Sequence, residues 1–149
     1  MTRRYYTLGE ANRMVPRLEE AFYRMMQLRL LIQPIYERLD EADAAPTDEE
    51  FEPSEPGIDA WAVSDRASLK ALMQTLREEL DGLRSEGVLV KGIHNGLVDW
   101  YAMHQGREIF LCWKLGEREV GWWHDLHAGF AGRKPISELQ GAGPGKRSK

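Results

Sequence analysis

The sequence predicts an α+β domain: a long antiparallel helical hairpin packed on a small antiparallel β-meander. Three observations carry this. Apolar residues recur at three and four as far as Leu83, an acidic, proline-rich stretch interrupts that pattern at 44–57, and after Gly87 the period changes to two. At 149 residues the chain is read as one domain over 1–140, long enough to bury a core, with a disordered tail over 141–149.

Thr7 and Glu10 have the spacing of a capping box and place a helix start at Leu8. From there Leu8, Ala11, Val15, Leu18, Phe22, Met25, Ile32, Tyr36 and Leu39 form one stripe, broken only by Arg29. Arg29 is expected to snorkel or to pair with an acid such as Asp65, the break in the partner stripe. Pro16 removes an amide and biases Val15 away from helix, so a short leading helix followed by a long one is expected, with a kink at Pro34. A second stripe, Met14, Ala21, Leu28, Leu31 and Ile35, widens the apolar face and suggests self-association. The 44–57 linker, AAPTDEEFEPSEPG, reads as an acidic flexible loop offering only Phe51 for burial. The second helix carries Ile58, Ala62, Leu69, Leu72, Leu76, Leu80 and Leu83, with Gly87 as its stop.

Beyond Gly87 the expected strands are Val88–Ile93, Leu97–Met103, Glu108–Lys114 and Arg118–His124, separated by Asn95-Gly96, Gln105-Gly106 and Gly116-Glu117. Two-residue turns at the last two sites would pair Tyr101 with Phe110, Asp99 with Cys112, Phe110 with Trp123 and Cys112 with Gly121. One face then holds Val98, Trp100, Ala102, Ile109, Leu111, Trp113, Val120 and Trp122 and lies on the helices, with His124 at its margin. The other mixes Asp99, Tyr101, Phe110, Cys112 and Trp123. A one-residue slip in either turn would exchange the faces of a whole strand. From Ala128 onward the chain reads as Gly/Pro-rich coil.

Charge is unevenly placed. Ten of the 24 acids lie between Arg38 and Arg66, where there is no Lys or Arg. The remainder is near neutral to mildly basic, too weak an asymmetry for a nucleic-acid partner. No apolar segment follows the first six residues and no run reaches bilayer length, so neither a signal peptide nor a membrane span is expected. One cysteine, Cys112, excludes an intrachain disulfide and fits a reducing cytoplasm.

The stretch from Gly92 to Arg133 holds all four His, four of the five Trp and the cysteine. His124 and His127 have a spacing that could chelate on a helical turn, with Asp125, Asp99 or His94 completing a shell. They stand at a strand end, however, and a polar terminus is the simpler reading, so no metal and no cofactor are expected. Cys112, mid-strand between Leu111 and Trp113, reads as a buried structural thiol. The Gly129–Arg133 loop can turn amides toward an anion, with Arg133 adding a bidentate fork; alternatively Arg133 clamps Asp99 or Asp125. The ligand-binding candidates are Asp99, Tyr101, His124, Asp125 and Arg133.

The opening Tyr6-Thr-Leu-Gly-Glu-Ala-Asn-Arg-Met-Val-Pro16 resembles the start of an uncharacterised prokaryotic family, domain of unknown function 2203. Gly96–Trp100, Gly106–Trp113, Trp123–Asp125 and Gly129–Pro135 are similar to its later blocks. The resemblance covers Tyr5 to Ile136. It implies matching residues at Asp99, Cys112, Trp113, His124, Gly129, Gly132 and Arg133, but no activity, substrate or cofactor. An acid stands more often in that family at the place of His127, which argues further against a two-His site.

The leading expectation is a cytoplasmic binding or interaction module with a small anionic ligand at the sheet and the Gly129–Arg133 loop. The alternatives are a small enzyme using His124 with Asp99 or Asp125 and Arg133 on an anionic substrate, and a structural homodimer acting through its helices.

Overall fold

The computed structural model describes residues 3–139; the tail expected to be disordered lies outside them. The chain forms helices α1 (Leu8–Glu41) and α2 (Ala60–Ser85). Strands β1 (Leu89–Gly92), β2 (Leu97–His104), β3 (Arg107–Lys114), β4 (Trp122–Asp125) and β5 (Lys134–Pro135) follow. The strands pair antiparallel in sequence order, so the class is α+β. Contacts divide the chain into two units, one built from the residues up to Phe22 and those from Asp81, the other from Tyr23–Leu80.

In the first unit the capping box starts α1 as the spacing predicts. The Thr7 hydroxyl accepts from the Glu10 amide at 3.1 Å, and the Glu10 carboxylate accepts from the Thr7 amide at 2.8 Å. The helix does not break at Pro16. Pro16 is exposed, while Ala11, Val15, Leu18 and Phe22 on the opposite side are buried. Each of the larger ones contributes about 1.5–3 kcal/mol by leaving water, which offsets one lost helical hydrogen bond. Phe22 lies 6.4 Å from Trp113 and Tyr6 lies 6.1 Å from Trp100, so this part of α1 covers the Trp100/Trp113 face of the sheet. Gly87 ends α2 at φ 89°, with the Val88 amide donating to the Leu83 carbonyl and the Gly87 amide to that of Arg84. That is a Schellman stop, and the left-handed residue favours glycine.

In the second unit α1 and α2 run antiparallel. Leu39, Ala62 and Leu69 are buried together, with Ile32, Ile35 and Ile58 against them. The partner of Asp65 is Arg38, not Arg29, at 2.9 Å. An antiparallel hairpin sets late α1 against early α2, and Arg29 lies too early in α1 to be level with Asp65. The helix also runs on through Pro34, another exposed proline.

The 44–57 loop offers more for burial than Phe51. Ala44 is buried. The Arg66 side chain, 3 % exposed, donates to the carbonyls of Ala44 at 2.8 Å, Glu52 at 2.8 Å and Pro53 at 3.0 Å. Its guanidinium also stands 5.3 Å from the Phe51 ring centre.

The β2–β3 register is the expected one, with Asp99 opposite Cys112 and Tyr101 opposite Phe110. Gln105 and Gly106 both have positive φ, 50° and 77°, as a type I′ hairpin needs. The first hairpin is less regular: the ladder shifts between Val90 and Gly92, and the Gly96 amide reaches back to Ile93. The β3–β4 register departs from expectation by one residue. Phe110 faces His124, Leu111 faces Trp123 and Cys112 faces Trp122. No two-residue turn forms at Gly116-Glu117. Instead Glu117 folds back, its carboxylate accepting from the Lys114 amide at 2.9 Å and its carbonyl from the Trp113 indole at 3.1 Å. The Val120 amide donates to Asn12 Oδ1 at 2.7 Å. The chain therefore rejoins the sheet only at Trp122. What reads as coil after Ala128 adds strand β5, whose Lys134 and Pro135 pair with Trp123 and Trp122.

Candidate functional site

The slip in β4 decides what the second face of the sheet carries. His124 moves onto the face of Asp99 and Cys112, and Trp123 moves to the opposite face, where it faces Leu111 and is buried. Asp99 and His124 side chains are 4 % and 3 % exposed, and Cys112 is fully buried. One carboxylate oxygen, one ring nitrogen and the sulfur all lie within 4.8 Å of one another.

Both nitrogens of His124 are engaged. Nδ1 lies 2.8 Å from the Asp125 carbonyl and Nε2 lies 3.1 Å from Asp99 Oδ2. A carbonyl only accepts, so Nδ1 carries a proton. In neutral imidazole that leaves Nε2 as a lone pair aimed at a carboxylate, two acceptors at hydrogen-bonding distance. Something positive must lie between them, either a proton or a metal ion. The other carboxylate oxygen, Asp99 Oδ1, is buried and has no hydrogen-bond partner among the described residues. A buried carboxylate with one free oxygen is costly unless a cation shares it.

The surroundings are apolar and aromatic. Phe110 lies 5.3 Å from the His124 ring and 4.6 Å from Tyr101. Burial, with the Asp99 charge second, pushes the Cys112 thiol up to about 12, so without a metal it is neutral; the Arg133 guanidinium opposes the shift. Arg133 NH1 lies 3.8 Å from Cys112 Sγ. The guanidinium lies over Trp122 at 4.6 Å and Phe130 at 4.5 Å from their ring centres, and NH2 bonds Glu117 at 2.5 Å.

Of the candidates read from sequence, Asp99 and His124 meet directly, and Arg133 reaches the same face through Cys112. Arg133 clamps neither Asp99 nor Asp125; its acid is Glu117, brought near by the fold-back loop. The Asp125 carboxylate turns away to Arg107 at 3.3 Å and Lys134 at 3.7 Å, and only its carbonyl serves the site. Tyr101 adds aromatic wall. His127 and His94 are exposed while His124 is buried. The residues that sequence reasoning left out are Cys112 and Glu117. The expected pairing of Asp99 with Cys112 already set a thiol beside a carboxylate, and that was the available signal.

Fold and site together define an α+β protein with a buried Asp–Cys–His cluster on one face of an antiparallel sheet. Residues 4–136 match the family described as Uncharacterized conserved protein (DUF2203), and the chain belongs to that family. Comparison with curated proteins and with solved structures gives no match. Among the described residues, no helix is long and apolar enough to cross a membrane.

Proposed function

We propose that this protein is a metal-binding module holding one divalent ion of zinc-like preference through Asp99 Oδ2, Cys112 Sγ and His124 Nε2. The observation that carries the reading is that both ring nitrogens of His124 face oxygens, Nδ1 the Asp125 carbonyl at 2.8 Å and Nε2 Asp99 Oδ2 at 3.1 Å, so a neutral ring can donate to only one of them. Metal-bound histidines are held in this way by their outer partners. Thiolate, imidazole and carboxylate together suit zinc better than magnesium or calcium. Tetrahedral zinc sets such ligand atoms about 3.4–3.6 Å apart; here the three lie within 4.8 Å of one another with Nε2 and Oδ2 at 3.1 Å, so an ion would need the three side chains to readjust around it. Three protein ligands leave one exchangeable position, as at catalytic zinc, and Arg133 beside Cys112 would favour the thiolate.

A thiol-nucleophile reading is weaker, because Cys112 is buried and its thiol is held in the neutral form. The small anion expected at Arg133 is weaker too, because Glu117 already neutralises that guanidinium. A reducing cytoplasm would suit an unpaired ligating thiol.

The test is metal content after purification without chelator, followed by cobalt substitution of the stripped protein. One equivalent of metal and a thiolate-to-cobalt charge-transfer band are expected, the band lost in Cys112→Ser and His124→Gln. A reduced, folded protein that takes up neither zinc nor cobalt at micromolar concentration would overturn the reading. The pair would then be a buried imidazolium–carboxylate bridge.

A further inference from the structure

Within the Tyr23–Leu80 unit the two helices are cross-braced at heptad steps. Arg24 on α1 reaches Glu79 on α2 with two hydrogen bonds, 2.8 and 3.1 Å. Two turns further on stands Leu31, and two turns beyond that Arg38, which holds Asp65 with bonds of 2.9 and 3.2 Å. Leu72 sits midway between Asp65 and Glu79 on α2, level with Leu31. The ladder thus reads charged pair, leucine pair, charged pair, with rungs about 10 Å apart. At the middle rung the surface opens into a shallow hollow lined by Leu30, Leu31, Pro34, Ile35, Ala71 and Leu72. Leu30 is 68 % exposed and Leu31 56 % exposed. An apolar hollow between two charged bars has the form of an interface core with a polar rim.

The charge pattern names the occupant. At the charged rungs α1 carries the base and α2 the acid. A two-fold axis parallel to the helices brings α1 of one copy opposite α2 of another at the same height. Arg24 then faces Glu79 of the partner copy, Arg38 faces its Asp65, and Leu31 faces its Leu72. A two-fold axis across the helices would instead set Arg24 against Arg38 and Glu79 against Asp65, like charge on like. We infer that this hairpin face docks a second copy of the chain, α1 against the partner's α2, forming a four-helix contact centred on Leu31 and Leu72.

Sedimentation of the full chain across the micromolar range tests the pairing. A concentration-dependent dimer is expected, with Leu31→Glu weakening it by about tenfold or more, as for a central interface residue. Leu31 is over half exposed, so this variant should keep its circular dichroism and melting temperature. Oxidative cross-linking then tests the axis. Leu31→Cys mixed with Leu72→Cys should give a disulfide-linked heterodimer, and Leu31→Cys alone should give none; Cys112, being buried, stays out of the exchange. A monomer throughout, a Leu31→Glu variant that dimerises like the wild type, or efficient cross-linking of Leu31→Cys to itself would each overturn the arrangement.

Discussion

Arg66 is the residue whose loss should cost the helical unit most. Its guanidinium is buried and closes the acidic loop by binding the carbonyls of Ala44, Glu52 and Pro53, with the Glu55 carboxylate at 3.3 Å. Hydrogen bonds from a charged donor are each worth about 1.5–3 kcal/mol net. Three would give roughly 4.5–9 kcal/mol if they added, but in Arg66→Leu the loop carbonyls regain water and the cost of burying the cation disappears. A loss of about 1–3 kcal/mol remains, the cost of leaving buried acceptors incompletely paired. Deleting Pro46–Pro53 attacks the same contact from the other side and strips the cation of two carbonyls. It should cost a comparable amount, although such a loop looks dispensable from its composition. Urea unfolding followed by far-ultraviolet circular dichroism measures both. Combined, the two changes should cost clearly less than their sum, because with Leu at position 66 no buried charge is left unpaired. Single changes that both fall within about 0.5 kcal/mol of wild type, the range of ordinary surface substitutions, would refute the anchoring role.

Three further outcomes are expected. Asp99→Asn should remain folded, because an amide N–H can donate to the His124 Nε2 lone pair, yet it should lose the metal; a variant that unfolds or still binds cobalt would contradict the acceptor-on-acceptor reading. Iodoacetamide should modify Cys112 slowly in the native, metal-free protein at mildly alkaline pH and quickly in urea, since the thiol is buried and pushed up to about 12; mass spectrometry showing rapid native labelling would count against this. The Thr7 amide holds the Glu10 carboxyl below its ordinary value of 4.5, so the stability it adds is present above that pH and lost in acid; the gap between wild type and Glu10→Ala in thermal melts should narrow there, and a gap that widens in acid would be inconsistent with the cap.

What could be read from sequence was set by local chemistry. The start of α1 follows from Thr7 and Glu10, the end of α2 from Gly87, and the β2–β3 register from Gln105-Gly106, each decided by residues within a few positions of one another. Pro16 misled because its local preference is overridden by Ala11, Val15, Leu18 and Phe22, which are buried on the opposite side of one continuous helix. Arg66 looked like any base after an acidic run, because its three acceptors are carbonyls and carbonyls have no sequence signature. Arg29 drew attention by breaking the apolar stripe, while the bracing falls to Arg24 and Arg38, a heptad ladder that becomes legible only once the alignment of α2 is known.

The candidate site was half legible for the same reason. Asp99 and Cys112 are joined by a short hairpin, and their pairing follows from its turn. His124 reaches them only because the chain between Lys114 and Trp122 does not close as a two-residue turn. It is held open by Glu117 folding back on the Lys114 amide and by Asn12 capping Val120, the latter a contact 108 positions away in sequence. Strand side chains alternate, so that single-residue displacement has coupled effects. It sends Trp123 to the opposite face of the sheet and His124 to the Asp99 face, and it leaves Trp122 on that face with one side uncovered. Arg133 covers Trp122, and the partner of Arg133 is Glu117, the residue that holds the loop open. The position of His124, the cover over Trp122 and the fold-back at Glu117 are thus one linked arrangement. A change at Glu117 should therefore reach Asp99, Cys112 and His124 through β4 register as well as through Arg133, although Glu117 touches none of the three.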